Sequence, residues 1–341
     1  MPLDVTGRTI LITGGTGSFG STMVRRLLAQ DVAQVRILSR DEAKQDDMRR
    51  ALGDARARFY VGDVRDYGSV AEAMRGVDWV FHAAALKQVP SCEFFPAQAV
   101  QTNVTGSAHV IEAAAAAGVR SVVCLSTDKA VYPVNAMGMT KALMEKTAQA
   151  FARNNPGSAT TVAIVRYGNV LYSRGSVIPL FIEQLRAGQP LTITDPRMTR
   201  FLMSLADSID LVEYAFANAA SGDIFVRKAP ASTVHDVALA VAGIFGQKPE
   251  LKIIGTRHGE KLYETLLSRE EMAHAEDHGP YFRVPLDARS LDYGLYFDKG
   301  DSHQAEANDY TSHSTVRLDI AGVTELLSRL PEILQATRTQ A

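Results

Sequence analysis

The stretch Thr9-Ile10-Leu11-Ile12-Thr13-Gly14-Gly15-Thr16-Gly17-Ser18-Phe19-Gly20 decides how the rest of this 341-residue chain is read. Its first part is a short apolar run, its second a glycine-rich turn, and the helical spacing Met23-Val24-Leu27-Leu28 follows. Strand, turn and helix in that order open a parallel α/β sheet. Gly14 and Gly17 let the backbone turn sharply and approach a pyrophosphate, and Gly20 lets the helix pack close to the strand. The helix N-terminus adds unpaired N–H groups and a positive dipole end. An ordinary tight turn is the plain alternative, but the G-x-x-G-x-x-G spacing between strand and helix argues against it. We therefore expect a dinucleotide held by Gly14, Thr16, Gly17, Ser18, Phe19 and Gly20.

Working outward, strand patterns at Val35–Leu38, Phe59–Val61, Trp79–His82, Val122–Leu125 and Val162–Val165 alternate with helical ones. That is the rhythm of right-handed crossovers in a parallel sheet. The longest helices are expected from about Pro96 to Gly118 and from about Ala136 to Asn154. Regularity breaks after Tyr167-Gly168-Asn169 and returns only around Ile224–Val226 and Val234–Phe245. The expected architecture is α/β, a doubly wound Rossmann sheet over 1–172 and 206–247, with a smaller C-terminal substrate-binding lobe over 173–205 and 248–341.

Composition narrows the function. With 46% hydrophobic residues and a net charge of -2, the chain can bury a large core and shows no basic footprint for nucleic acid or an anionic membrane. Met1-Pro2-Leu3-Asp4-Val5 lacks the basic and apolar parts of a secretion signal, and no stretch approaches the length of a membrane helix, so a cytoplasmic protein is expected. Two cysteines, Cys92 and Cys124, make neither a disulfide framework nor a metal set. No metal is expected.

The second informative stretch is Ser126-Thr127-Asp128-Lys129, with Lys141 further on. It follows the apolar run Val122–Leu125, and residues after such strands line the ligand crevice of an open α/β sheet. Adjacent acid and base there imply proton chemistry; a surface pair in a loop is the competing reading. At the end of the second strand, Ser39, Arg40 and Lys44 suit a 2′-phosphate, which favours NADP over NAD. Asp41 and Glu42 beside them are the competing partners for a free ribose. Asp63 and Val64, after the third strand, suit the adenine, although Asp63 is equally well read as a helix cap.

The glycine turn, Gly62-Asp63-Val64, His82-Ala83-Ala84-Ala85, Asn103-Val104-Thr105-Gly106 and the Ser-Thr-Asp-Lys cluster together resemble the extended short-chain dehydrogenase/reductase superfamily over nearly the whole chain. More narrowly, Ala85-Leu86-Lys87-Gln88-Val89-Pro90, Ser126 to Pro133, Arg166-Tyr167-Gly168-Asn169-Val170 and Arg257-His258-Gly259-Glu260-Lys261-Leu262 resemble bacterial UDP-N-acetylglucosamine 4,6-dehydratases. The nearest likeness is to the C5-inverting branch of capsule and O-antigen synthesis. One departure stands out: where the superfamily has Tyr-x-x-x-Lys, this chain has Met137-Gly138-Met139-Thr140-Lys141, and a thioether cannot shuttle a proton. The C5-inverting branch resembles this chain in carrying methionine there; loss of activity is the alternative.

The resemblance implies tightly bound NADP regenerated in each cycle, with Ala83, Ala84, Asn103 and Lys141 added to the cofactor site. It also implies a UDP-sugar substrate and a homo-oligomer, as large as a hexamer. The catalytic set it implies is Thr127 on the C4 oxygen, Asp128 as acid toward the C6 oxygen, Lys129 as base and Lys141 on the nicotinamide ribose. As a base, Lys129 is expected to have a pKa depressed by burial and by Lys141. Lys87 and Asn169 match positions facing the sugar nucleotide. Arg200 and Arg257 are candidates for the diphosphate, with Glu260 bracing Arg257. Two other readings stay open, a UDP-N-acetylhexosamine 4-epimerase and a nonenzymatic NADP-sensing protein.

Overall fold

The computed structural model describes residues 3–173, 175–287 and 307–338. Strand β1 (Thr9–Thr13) runs into helix α1 (Ser18–Leu28), and the alternation continues with β2 (Gln34–Ser39), α2 (Glu42–Leu52), β3 (Ala57–Val61), β4 (Trp79–His82), β5 (Ser121–Thr127) and β6 (Thr161–Tyr167). The apolar runs form strands because both faces of this sheet are covered, so β-branched and apolar side chains are buried on either side; Ile12, Val80, Val122 and Ile164 are all fully buried.

The main sheet has nine strands in the order Glu276–His278, Tyr281–Val284, Ile224–Arg227, β6, β5, β4, β1, β2, β3. From Ile224–Arg227 to β3 the pairing is parallel, with Thr9 opposite Gln34 on one flank of β1 and Ile10 opposite Trp79 on the other. The chain winds out from β1 through β2 and β3, then returns to the opposite flank with β4. That reversal opens a crevice at the C-terminal ends of β1 and β4, the place where open α/β sheets take their ligands.

Two apolar clusters cover the two faces of this sheet, and a third lies apart, built from Phe181, Ile182, Leu191, Val237, Val241, Val323 and Leu327 among others. The third cluster redraws the expected lobes. Helix Val234–Ile244, which the sequence division put with the sheet, packs against Val177–Arg186 and Ile320–Ser328 in the smaller lobe. Strands Glu276–His278 and Tyr281–Val284, placed in that division with the smaller lobe, instead extend the main sheet antiparallel. The reason is that an apolar helix or strand signals burial but not which neighbour buries it. Of the expected lobe, residues 174, 288–306 and 339–341 lie outside the described residues.

The long helix expected from Pro96 is also modified: Pro96–Val100 passes through a π-helical turn, Gln101–Thr105, before Gly106–Ala116. Among the described residues no helix is long and apolar enough to cross a membrane.

Candidate active site

Three adjoining clefts run along the crevice, of about 650, 230 and 450 Å³. The first is formed by Gly14, Thr16, Gly17, Ser18, Phe19, Gly20, Ser39, Arg40, Lys44, Asp63, Val64, Ala83 and Ala84. Its floor demands glycine. Gly14 has φ +68, and a Cβ there would lie 2.8 Å from the Ala84 backbone; one on Gly20 would lie 2.6 Å from the Gly14 carbonyl oxygen. Helix α1 begins at Gly17 with no side-chain cap and no acid in its first turn, so its N–H groups face the cleft with their positive dipole end. Helix α2 differs, since Asp41 caps it by accepting from Lys44 N at 3.0 Å.

Beside Ser39, Arg40 lies 3.6 Å from Asp63, and Lys44 is paired with Asp41. Asp63 is held by Arg65, which donates from its backbone and guanidinium, and the next helix is capped by Asp66, not Asp63. Asn103 does not line the cleft. Its amide accepts from Leu86 N at 2.8 Å and donates to Leu86 O at 2.9 Å and Thr140 Oγ1 at 3.0 Å. It therefore shapes the 83–87 wall from behind, a role reached through the π turn that carries it. Thr102 in the same turn does line the cleft, with a buried hydroxyl oxygen that has no partner among the described residues.

The second cleft is lined by Thr127, Lys129, Met137, Lys141, Tyr167 and Asn169. Thr127 ends β5 in an extended conformation and caps the short 3-10 turn Asp128–Ala130. Helix Ala136–Asn154 is capped by Asn135 and presents Met137 and Lys141, one turn apart, to the same side. Gly138 lets that helix close onto the turn, for a Cβ there would lie 2.2 Å from the Lys129 carbonyl oxygen. Farther along the helix, buried Glu145 pairs with Arg166 (2.7 Å), which also holds Glu271 (2.7 Å). This network ties the helix to β6 and to the 268–271 segment.

Asp128 is fully buried beneath this cleft and is not part of its wall. Its Oδ1 accepts from Thr127 Oγ1 at 2.7 Å and from Lys129 Nζ at 3.1 Å, while Oδ2 is buried without a partner among the described residues. A second carboxylate, unforeseen in the sequence, stands beside it: Glu264, 2% exposed, 3.5 Å from Lys129 Nζ and 3.8 Å from Arg200 Nε.

This pair reverses the expected ionisation of Lys129. Burial acts to lower its pKa, but Asp128 and Glu264 together outweigh burial and hold it above the usual lysine range. The lysine that is depressed is Lys141, pushed down to about 8 by burial, with Nζ donating to Leu125 O at 2.7 Å. Burial raises Glu264, with Lys129 opposing, and lowers Lys261, whose Nζ donates to Val131 O at 2.6 Å. Tyr167, stacked on Phe19 with ring centroids 5.6 Å apart, is held well above its usual range by burial, with Asp128 adding to it. Glu264 and Tyr167 were given no role in the sequence; the nearest signals were that Glu264 lies two residues past the motif ending at Leu262 and that Tyr167 sits inside the motif Arg166-Tyr167-Gly168-Asn169-Val170.

The third cleft is lined by Asn169, Arg200, Arg257 and Glu260, and Lys87 lines the first two. Arg200 is largely buried, with Nη1 donating to Thr199 O at 2.8 Å, so it is not a surface cation. Glu260 accepts from the backbone N–H of Arg257 at 3.3 Å, bracing the loop and not the guanidinium.

Residues 10–286 match the family described as polysaccharide biosynthesis protein, and residues 287–334 match its C-terminal counterpart. A UDP-glucose 4-epimerase of Rickettsia bellii is 57% identical over 327 residues, 95% of this chain and 96% of that protein. Among solved structures, Pen from Bacillus thuringiensis is 32% identical, with a TM-score of 0.86 over 96% of this chain and 99% of that one. A dTDP-glucose 4,6-dehydratase from Streptomyces venezuelae, solved with NAD and TYD, is 26% identical, with a TM-score of 0.68 over 74% and 86%. The family match over residues 10–286 and the likeness to these structures show that the chain belongs to the polysaccharide biosynthesis protein family, within the extended short-chain dehydrogenase/reductase superfamily.

Proposed function

We propose that this chain is a UDP-N-acetylglucosamine 4,6-dehydratase that inverts C5, producing a UDP-2-acetamido-2,6-dideoxy-hexos-4-ulose for capsule or O-antigen synthesis. One observation carries the reading: a lysine bonded to a buried aspartate borders the reaction cleft, and a thioether, Met137, fills the place of the superfamily phenol. Elimination across C5 and C6 needs an acid and a base beside the ring, which such a pair can supply. Epimerisation at C4 alone has no use for it.

The first cleft fits a nicotinamide dinucleotide: glycines leave the space that a Cβ would fill, and an uncapped helix end faces a phosphate. Held by the glycine turn and the start of α1, such a cofactor would supply hydride chemistry, with C4 of the sugar as source and C6 as destination. Arg40 and Ser39 favour NADP over NAD, because the nearby acid, Asp41, is engaged in capping α2 and in pairing with Lys44. Lys141 steadies the nicotinamide ribose.

Thr127, whose hydroxyl is bonded to Asp128 in the free chain, turns to the C4 oxygen and releases Asp128 Oδ1 toward the C6 hydroxyl. Lys129 removes the C5 proton, which a C4 ketone makes acidic. Arg200 and Arg257 hold the diphosphate, Glu260 keeps the Arg257 loop in place, and Asn169 and Lys87 face the sugar.

A second reading, 4-epimerisation, is favoured by the name of the Rickettsia relative. Incubating the protein and NADP+ with UDP-N-acetylglucosamine, and in parallel with UDP-glucose, in heavy water separates the readings by chromatography and proton NMR. Dehydratase activity yields a 6-deoxy ketone with solvent deuterium at C5 and ring couplings of the inverted sugar. An isomer differing only at C4, without C5 exchange, would replace this reading with the epimerase. No conversion would leave the NADP-sensing protein.

A further inference from the structure

We infer that Glu264 is the acceptor of the Lys129 ammonium proton, the residue that turns a resting cation into a base; this rests on the dehydratase reading for its purpose, though not for its geometry. Lys129 rests between two carboxylates, so the free amine that must attack C5–H exists only after a proton has left Nζ. Asp128 Oδ1 lies 3.1 Å from Nζ and Glu264 Oε1 lies 3.5 Å away. They are not equivalent. Asp128 Oδ1 also accepts a hydroxyl hydrogen from Thr127 at 2.7 Å, so the oxygen that faces Nζ is already engaged. Glu264 shares with Asp128 its burial, its place outside the cleft wall and one oxygen, Oε2, that has no hydrogen-bond partner among the described residues, but it receives no hydroxyl hydrogen there. A buried carboxylate so poorly solvated gains by becoming neutral.

The position of Glu264 is fixed from outside the loop that carries it. Its backbone N–H donates to Ser312 Oγ at 2.9 Å, and its carbonyl oxygen accepts from Ser312 N at 2.8 Å. Ser312 Oγ in turn donates to Thr199 O at 3.2 Å, next to Arg200. The charged groups facing Glu264 are Lys129 and Asp128 from the turn after β5, Arg200 from strand Thr199–Met203, and Lys261 from its own segment.

The step balances within the pair. A Lys129 N–H bond breaks and a Glu264 O–H bond forms, leaving the electron pair on Nζ. That pair takes the C5 proton while the C5–H electrons form the C5–C6 double bond, and the C6 hydroxyl departs as water on the proton that Asp128 took up through Thr127 when the C4 hydroxyl was oxidised. Once Lys129 releases the C5 proton to the ring or to solvent, Glu264 returns its own and the resting pair is restored.

Glu264→Gln keeps the volume and removes the accepting carboxylate; Glu264→Asp keeps a carboxylate on a shorter arm. With UDP-N-acetylglucosamine as substrate, Glu264→Gln is expected to lower kcat about 100-fold or more with KM unchanged, the scale of a lost general-base function. Its rate should lose the acid limb set by the carboxylate and climb instead toward alkaline pH, where the free amine appears without an acceptor. Glu264→Asp should keep the acid limb and recover part of kcat. Independently of turnover, the 13C-methyl signal of reductively methylated Lys129, assigned by its absence in Lys129→Arg, should titrate at lower pH in Glu264→Gln than in the unsubstituted chain. An unchanged Lys129 titration, or a fall in kcat with an unmoved acid limb, overturns the inference. Failure of the unsubstituted chain to convert any sugar nucleotide overturns the dehydratase reading instead, and the Lys129 titration still decides the proton pairing.

Discussion

The cofactor cleft and the proton-transfer cluster are built on opposite plans. The first is made by backbone and absent side chains: Gly14 and Gly20 where a Cβ would strike a neighbouring main chain, and an uncapped helix start at Gly17. Its parts are short contiguous runs of residues, each at the end of β1, β2, β3 or β4. The second is made of side-chain charges from separate segments, with Asp128 and Lys129 after β5, Arg200 in another strand, and Lys261 and Glu264 from a loop late in the chain. The difference teaches that binding here depends on shape, whereas chemistry depends on a local sum of charges.

If the two regions are separable, substitutions should damage one and spare the other. The largest expected effect is that of Lys129→Ala: turnover falls about 1,000-fold or more while NADP+ affinity stays within two-fold. Product chromatography alongside a fluorescence titration checks both, and a parallel loss of affinity would break the comparison. Gly14→Ala is the converse. It forces a side chain into φ +68 with its Cβ 2.8 Å from the Ala84 backbone, and about 1–3 kcal/mol of strain corresponds to roughly 5- to 150-fold weaker dinucleotide binding. Isothermal titration should show that loss, with a lowered Tm.

Lys141 stands between the two regions and sharpens the contrast through pH. Its folded pKa of about 8 lies below its ordinary 10.5, so the unfolded chain binds more protons between those values and stability rises with pH across that window. Lys141→Met should abolish this rise, worth on the order of 1–2 kcal/mol after relaxation, as read by denaturant melts between pH 7.5 and about 10.5. The smallest expected effect belongs to Arg40→Glu, which should shift the NADP+ to NAD+ affinity ratio toward NAD+ by about ten-fold and leave the Lys129 chemistry intact. An unmoved ratio would remove Arg40 from cofactor choice.

The strand, glycine turn and helix at 9–28 were legible because each residue's demand is local: a buried strand, a positive φ, a helix start without a cap. The adjacency of Asp128 and Lys129 was legible for the same reason, being contiguous with a strand end, whereas the missing phenol at Met137 was read from the resemblance to the superfamily pattern. Asn103 marks where this ran out, since a side chain in a helix gives no sign of whether it faces a ligand or, through a π turn, the back of the loop that does. Helix Val234–Ile244 shows the same limit at larger scale, because apolar spacing demands a partner without naming it. The ionisation of Lys129 lay furthest from view. Burial and the neighbouring Lys141 predict a depressed base at Lys129, but an amine's pKa responds to every charge within several ångströms. Asp128, joined by Glu264, which Ser312 and strand Thr199–Met203 bring in, reverses the sign. Backbone requirements are written into consecutive residues, whereas electrostatic ones are set by distances in space, and only folding brings those charges together.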